Sequence, residues 1–296
     1  MSFIKKHKTL ISDIGLVYAA AVWGSTFYIV KDVLNSIDPI MLVAYRFLLA
    51  SVILGGYLII KNKDLFKNFR YGIILGLILG TLYITQTIGL KHTTASNSGF
   101  ITGLFVIFIP IFGWVIFKKK ISAIKIISVF LALSGLWVLT GGLSDINFGD
   151  ILTLIAAVTY ALHVLFSDVY VKKKIDPYVL SFQQFLVIGI LSLFIGLSRN
   201  TPLTITSVNA IYSIIFLTLF PTISAFVIQL LAQKNTDPIK VGVIFSLEPV
   251  FAAIFAWTLG GELFVANRAF GGILIVSAMI LSELKFKKSN KNGKKK

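Results

Sequence analysis

The chain has 296 residues, of which 56% are hydrophobic and 14% charged, with a net charge of +16 and no cysteine. A soluble domain carries about 25% charged residues, so this composition excludes an ordinary water-soluble enzyme. Without cysteine there is no disulfide, thiolate nucleophile or Cys-based metal site.

A helix that crosses a bilayer needs about 20 mostly apolar residues. Ten such segments follow in chain order: 13–33, 39–60, 71–91, 95–117, 122–141, 149–171, 178–197, 208–232, 238–259 and 264–284. The expected fold is therefore an all-α integral membrane protein with ten transmembrane helices. Lys5, Lys6 and Lys8 followed by an apolar run and Ala19-Ala20-Ala21 imitate a signal peptide. The run continues past the alanines to Leu34, which favours a retained first span. Asp38-Pro39, Asp176-Pro177 and Asp237-Pro238 each open a proposed helix. Aspartate accepts from free N–H groups at a helix start, and proline at the first position loses no bond it needed. Pro110, Pro221 and Pro249 are read as helix-interior prolines, each freeing a carbonyl one turn earlier.

Ten spans place both termini on one side. The loops of that side and the basic tail at 285–296 then hold 23 Lys and Arg, against four on the other side (Lys31, Lys91, Arg199 and Arg268). Positive charge accumulates on the cytoplasmic side of membrane proteins, so the termini are expected in the cytoplasm. The basic balance is thus a matter of topology and not a sign of nucleic-acid binding. The tail is expected to be disordered and to touch anionic lipid.

The two halves are related in sequence. At an offset of 137, Asp13-Ile14 meets Asp150-Ile151 and Trp23 meets Tyr160; at 138, Asp38-Pro39 meets Asp176-Pro177 and Phe47 meets Phe185. At 143, Gln86 meets Gln229, Lys91 meets Lys234, Gly99 meets Gly242 and Trp114 meets Trp257. Two five-helix units follow, 13–141 and 149–284. Five is odd, so the second unit must lie inverted relative to the first. Inverted repeats are a recurrent build for secondary transporters, because two such units give two near-equivalent states, each open to one side.

Charge inside hydrocarbon needs a partner or a wet cavity. Glu248 falls near the middle of the ninth span, Arg46 two turns inside the second, and His163 mid-way along the sixth. Their repeat counterparts are Phe105, Gln184 and Thr26, so a symmetric scaffold carries asymmetric polar groups. Arg46 has three readings: an ion pair with Glu248, a side chain snorkelling outward, or a ligand contact. His163 reads as packing or as a group that changes charge near neutral pH. Gln86, Asn97, Gln183, Gln184 and Gln229 line a polar cavity or serve as interhelical hydrogen-bond glue. Trp23, Tyr83 and Phe105 supply apolar walls or simple packing. Gly72, Gly76 and Gly80, like Ala252, Ala256 and Gly260, let helices approach closely, with static packing favoured over a sliding contact or dimer seam. Histidine occurs only at 7, 92 and 163, and there is no HExxH, GxSxG or Walker loop. No cofactor or metal is expected, and neither is enzymatic activity.

These residues together resemble the EamA-type branch of the drug/metabolite transporter superfamily. The resemblance rests on Trp23-Gly24-Ser25-Thr26-Phe27, Arg46-Phe47, Thr94-Ala95-Ser96-Asn97-Ser98-Gly99-Phe100, Leu247-Glu248-Pro249-Val250-Phe251 and Gly260-Gly261-Glu262. It covers about 13–284, with one departure: Lys119 stands where the first repeat often has an acidic residue, matching Glu262 in the second. The resemblance implies a transporter of amino acids or small metabolites, commonly an exporter, with a central cavity between the units. The expected partners are a small-molecule substrate, the lipid bilayer and a coupling proton. The expected location is the plasma (inner) membrane. The expected substrate contacts are Glu248, Arg46, Trp23, Gln86, Asn97, His163, Tyr83 and Gln184. A broad-specificity drug or nucleoside exporter is the alternative within transport. A membrane-embedded lipid-handling enzyme is a more distant one. Substrate, direction and oligomeric state are not encoded in any motif of the sequence.

Overall fold

The computed structural model describes residues 2–118, 122–142, 146–173, 175–205, 207–233, 241 and 244–283, with side chains from Leu10 onward. Every regular element among these residues is helical. The helices are α1 (Ser2–Val33), α2 (Pro39–Ile60), α3 (Phe69–Leu90), α4 (Ala95–Gly103), α5 (Phe105–Phe117), α6 (Ala123–Thr140), α7 (Phe148–Lys172), α8 (Pro177–Ser198) and α9 (Val208–Leu217). A π-helical turn, Thr218–Ser224, joins α9 to α10 (Ala225–Gln233); α11 (Glu248–Thr258) and α12 (Ala266–Glu283) follow.

Eight helices among the described residues are long and apolar enough to cross a membrane; Ala266–Ser282 is a shorter apolar helix. The ninth predicted span is described mainly in its second half, as α11. Large apolar side chains such as Val52, Ile60, Phe130, Leu133 and Phe194 are exposed on the outside. Arg46, Gln86, His163, Gln184, Gln229 and Glu248 are buried inside. That is the reverse of a water-soluble fold, and such a continuous apolar surface suits lipid.

The aspartate caps form as expected. Asp38 accepts from the backbone N–H groups of Ile40 and Met41 at 2.8 and 3.3 Å, and Asp176 from Tyr178 at 3.0 Å, with proline next in each helix. Asp237-Pro238, Thr236, Lys119 and the tail 285–296 lie outside the described residues. Two helices depart from the continuous spans read in the sequence. The fourth is interrupted at Leu104, between α4 and α5, and the ninth at Ser246–Leu247, before α11. Leu104 and Leu247 are repeat equivalents at the offset of 143. Pro249 is therefore not interior: it sits in the first turn of α11, where its missing N–H costs nothing. Pro110 and Pro221 do lie inside helical segments.

The inversion is visible in how equivalent helices meet. Along α2 and α8, Gly196 approaches Met41, Gly189 approaches Leu48 and Gly55 approaches Phe182. As residue number rises on one helix it falls on the other, so these counterparts run antiparallel. α6 and α12 do the same, through Gly135 with Ile275 and Gly271 with Leu139. Loop anchors repeat the relation. The Tyr45 hydroxyl donates to the Leu203 carbonyl at 2.5 Å, while the Gln183 amide donates to the Leu65 carbonyl at 2.8 Å. Tyr45 and Gln183 share the offset of 138, as do Leu65 and Leu203.

Gly72 and Gly76 face α8 within the same chain. A Cβ at Gly72 would sit 2.3 Å from that of Gln183, and one at Gly76 2.6 Å from that of Val187. The small-residue stripe is thus an internal helix contact. Ala252 and Ala256 are likewise buried inside, Ala252 against Gly99.

Candidate functional site

α1, α3, α7, α10 and α11 converge on a central cavity lined by Trp23, Thr26, Phe27, Leu82, Tyr83, Gln86, Tyr160, Phe226 and Glu248. Its volume is only ≈ 20 Å³, room for about one water molecule. Aromatic rings hold it closed. Trp23 lies 5.2 Å from Phe226, 5.4 Å from Phe245 and 6.3 Å edge-on from Tyr160, between ring centres. Phe105 stacks on Tyr160 at 4.0 Å. Larger open clefts lie at the two ends of the bundle, ≈ 820 Å³ near Lys61 and Lys172 and ≈ 610 Å³ near Lys31 and Glu262. Neither reaches the buried carboxylate.

Glu248 owes its place to the break in its helix. Interruption at Ser246–Leu247 puts it in the first turn of α11, where unpaired backbone N–H groups favour negative charge. The side chain is 5% exposed, and its Oε2 has no hydrogen-bond partner. Among the described residues no cation lies within ion-pair distance of it; the ion pairs there are Lys63–Asp176 and Lys172–Asp168. The structure thus contains no Arg46–Glu248 pair. The repeat counterpart of Glu248, Phe105, opens α5 after the equivalent break and is spent on packing against Tyr160.

Arg46 is buried beside the cavity, not snorkelling from it. Its Nε donates to Thr222 Oγ1 at 2.5 Å, its Nη2 reaches the Tyr83 hydroxyl at 3.5 Å, and its guanidinium lies 4.7 Å from the Tyr83 ring centre. Pro221 explains the acceptor. Having no N–H, it cannot donate to the carbonyl one turn earlier, and the chain opens into a π-helical turn in which the Leu217 carbonyl lies five residues before Thr222. The Thr222 hydroxyl donates to that carbonyl at 2.7 Å, which turns its lone pairs toward Arg46. The same π-helical turn presents the Pro221 carbonyl to Trp23 Nε1 at 2.8 Å. One proline thereby orients both an aromatic wall and the buried cation.

The remaining predicted residues divide. Gln86 lines the cavity and donates to Thr102 Oγ1 at 3.1 Å. His163 and Gln184 pair at 2.8 Å behind Phe226, outside the lining. Their other polar atoms, His163 Nδ1 and Gln184 Nε2, are buried without partners. Asn97 belongs to the first turns of α4, away from the cavity, with its Oδ1 unpartnered. Gln183 pins the loop after α2 through the Leu65 and Lys67 carbonyls. Sequence reasoning did not place Tyr160, Phe226 or Thr222 at the site. Tyr160 did carry a signal, as the repeat counterpart of Trp23.

A buried polar cavity between two inverted helical repeats defines a multi-pass membrane protein of transporter architecture. The chain belongs to the EamA-like transporter family, which it matches over residues 10–141 and 147–284. An uncharacterized transporter of Archaeoglobus fulgidus is 34% identical over 291 residues, covering 96% of this chain and 92% of the relative. The uncharacterized inner membrane transporter YedA of Escherichia coli K12 is 23% identical, covering 94% and 93%; the uncharacterized transporter YoaV of Bacillus subtilis is 21% identical, covering 92% and 97%. A crystal structure shares the fold with a TM-score of 0.68 at 16% identity, covering 93% of this chain and 96% of the other. The protein is a membrane transporter.

Proposed function

We propose that the protein is a secondary transporter that exports an amino acid or similarly small, amphipathic metabolite by alternating access. The units at 13–141 and 149–284 rock about the central cavity, and the termini face the cytoplasm from the plasma (inner) membrane. The observation that carries this reading is the Glu248 carboxylate, with one oxygen bare in a cavity walled by aromatic rings. A buried charge without a partner is costly, so the site is suited to a ligand ammonium group or a coupling proton. Aromatic faces around it favour cations and apolar side chains. Arg46, close behind Tyr83, supplies the positive pole for a ligand carboxylate.

Uptake of labelled amino acids into proteoliposomes tests the proposal. Native protein should move at least one of them, and Glu248→Gln should lower that movement at least about tenfold. Equal rates in the two proteins would remove Glu248 from the mechanism. The aromatic walls also suit cationic drugs. Broad resistance on overexpression, without amino-acid flux, would favour that second reading.

A further inference from the structure

We propose that Glu262 is a positioning residue that holds one end of the transport path shut, acting through the half-helix α4. The inference rests on the transport reading above. The end in question is the one opposite the chain termini, where Lys31, Leu90, Thr94 and Asp150 meet.

Glu262 reaches across from the loop after α11, in the second repeat, to the start of α4 in the first. One carboxylate oxygen accepts from the Ala95 N–H; the other accepts from the Ser96 N–H at 3.2 Å and the Ser96 hydroxyl at 2.7 Å. Thr94, the residue preceding α4, already serves the Asn97 N–H at 3.1 Å. The two first-turn donors it leaves over are those that Glu262 takes. The stretch just before α4 is tied twice more. Lys31 Nζ donates to the Leu90 and Thr93 carbonyls at 2.7 Å each, and Thr93 Oγ1 donates to Asp150 at 2.5 Å.

The break at Leu104 lets this contact act on the cavity. α4 is a nine-residue rod, about 13 Å long at 1.5 Å per residue. Its far end carries Thr102, the hydrogen-bond partner of the cavity residue Gln86. A tilt released at Ala95 and Ser96 therefore moves Thr102, and the cavity wall with it. The repeat counterpart of Glu262 is Lys119, and a lysine offers no acceptor to a helix N-terminus. The equivalent position in the first repeat therefore supplies no carboxylate for such a latch.

The chain has no cysteine, so a single Thr26→Cys substitution reports access to the cavity. Its labelling by a membrane-impermeant maleimide, applied from the Glu262 side, needs no substrate. Glu262→Ala should speed labelling at position 26 by about tenfold or more, the loss of roughly one helix cap expressed as an equilibrium; Glu262→Asp should restore part of the closure. An unchanged rate in folded Glu262→Ala protein overturns the proposal. A second test introduces Ser96→Cys with Glu262→Cys and reads position 26 by mass spectrometry. Oxidation should block labelling there and a reductant should restore it. Labelling that ignores the crosslink overturns the latch. Failure of amino-acid flux with a working latch would instead count against the substrate reading alone.

Discussion

Arg46 and Glu248, two ionisable groups of opposite kind buried in the membrane interior, both border on Tyr83 without pairing with each other. Arg46 spends its Nε on Thr222 and its guanidinium face on Tyr83, while Glu248 keeps a bare oxygen toward the cavity. A structural ion pair would have used each charge to neutralise the other. On the proposed transport reading, both groups remain available to a ligand that carries its own charges.

This arrangement predicts a divergence between stability and transport. Glu248→Gln removes a buried, unpartnered carboxyl and leaves no stranded cation, so its melting temperature should equal or exceed that of the native protein. Flux in proteoliposomes should fall at least about tenfold, the effect of losing roughly 1.4 kcal/mol of ligand contact. A drop in melting temperature with retained flux would mean that Glu248 is structural.

The Thr222 hydroxyl serves two partners, accepting from Arg46 and donating to the Leu217 carbonyl. Thr222→Val strands the buried Arg46 Nε in a dry interior. A buried polar group left without its bond costs about 1–3 kcal/mol, and loss in that range is expected in denaturant unfolding. Thr222→Ser keeps the hydroxyl and should lie close to native.

The glycines of α3 and α2 provide a matched pair. A Cβ at Gly72 would collide with Gln183, whereas one at Gly56 meets nothing within 4 Å. Gly72→Ala should destabilise by about 1–3 kcal/mol, the cost of overpacking. Gly56→Ala should be neutral or slightly stabilising. Because Gly72 faces α8 of its own chain, neither change should alter the oligomeric state measured in detergent.

At the other end of the bundle, Lys63 meets Asp176 at 2.9 Å on the exposed surface. The hydrogen bond and the charge of Asp176 hold the Lys63 ammonium above the ordinary lysine range. A raised folded-state value contributes stability below the unfolded-state value, and that contribution is lost as pH rises through the folded one. Lys63→Ala should therefore melt slightly below native at neutral pH, with the gap closing above about pH 10.4 and shrinking in salt. Asp176→Ala should cost more, because Asp176 also caps α8 through Tyr178.

Much of the fold is legible in the sequence because lipid imposes long apolar runs and Asp-Pro pairs mark where helices begin. α2 spans the same residues in both readings, and α7 and α8 differ by one residue at each end. The inversion is legible because an odd number of helices per repeat leaves no other arrangement. The helix breaks are less so. No proline stands at Leu104, and its interruption is a local turn of the bundle. Pro249 reads from the sequence as helix-interior, whereas it stands in the first turn of α11, because the residues around it do not mark the break before it. The cavity is the least legible part. Tyr160 and Phe226 are aromatics among many, and only long-range packing brings them to Trp23. The contact of Glu262 with Ala95 joins residues far apart in sequence, with nothing local to announce it.

The central claim is that cargo binds against Glu248 inside the aromatic cavity. Thermal unfolding of native protein and Glu248→Gln, each against the same panel of amino acids, tests it most directly. The account predicts a ligand that raises the native midpoint and leaves that of Glu248→Gln unmoved. A transported ligand that stabilises both proteins equally would place the binding site elsewhere.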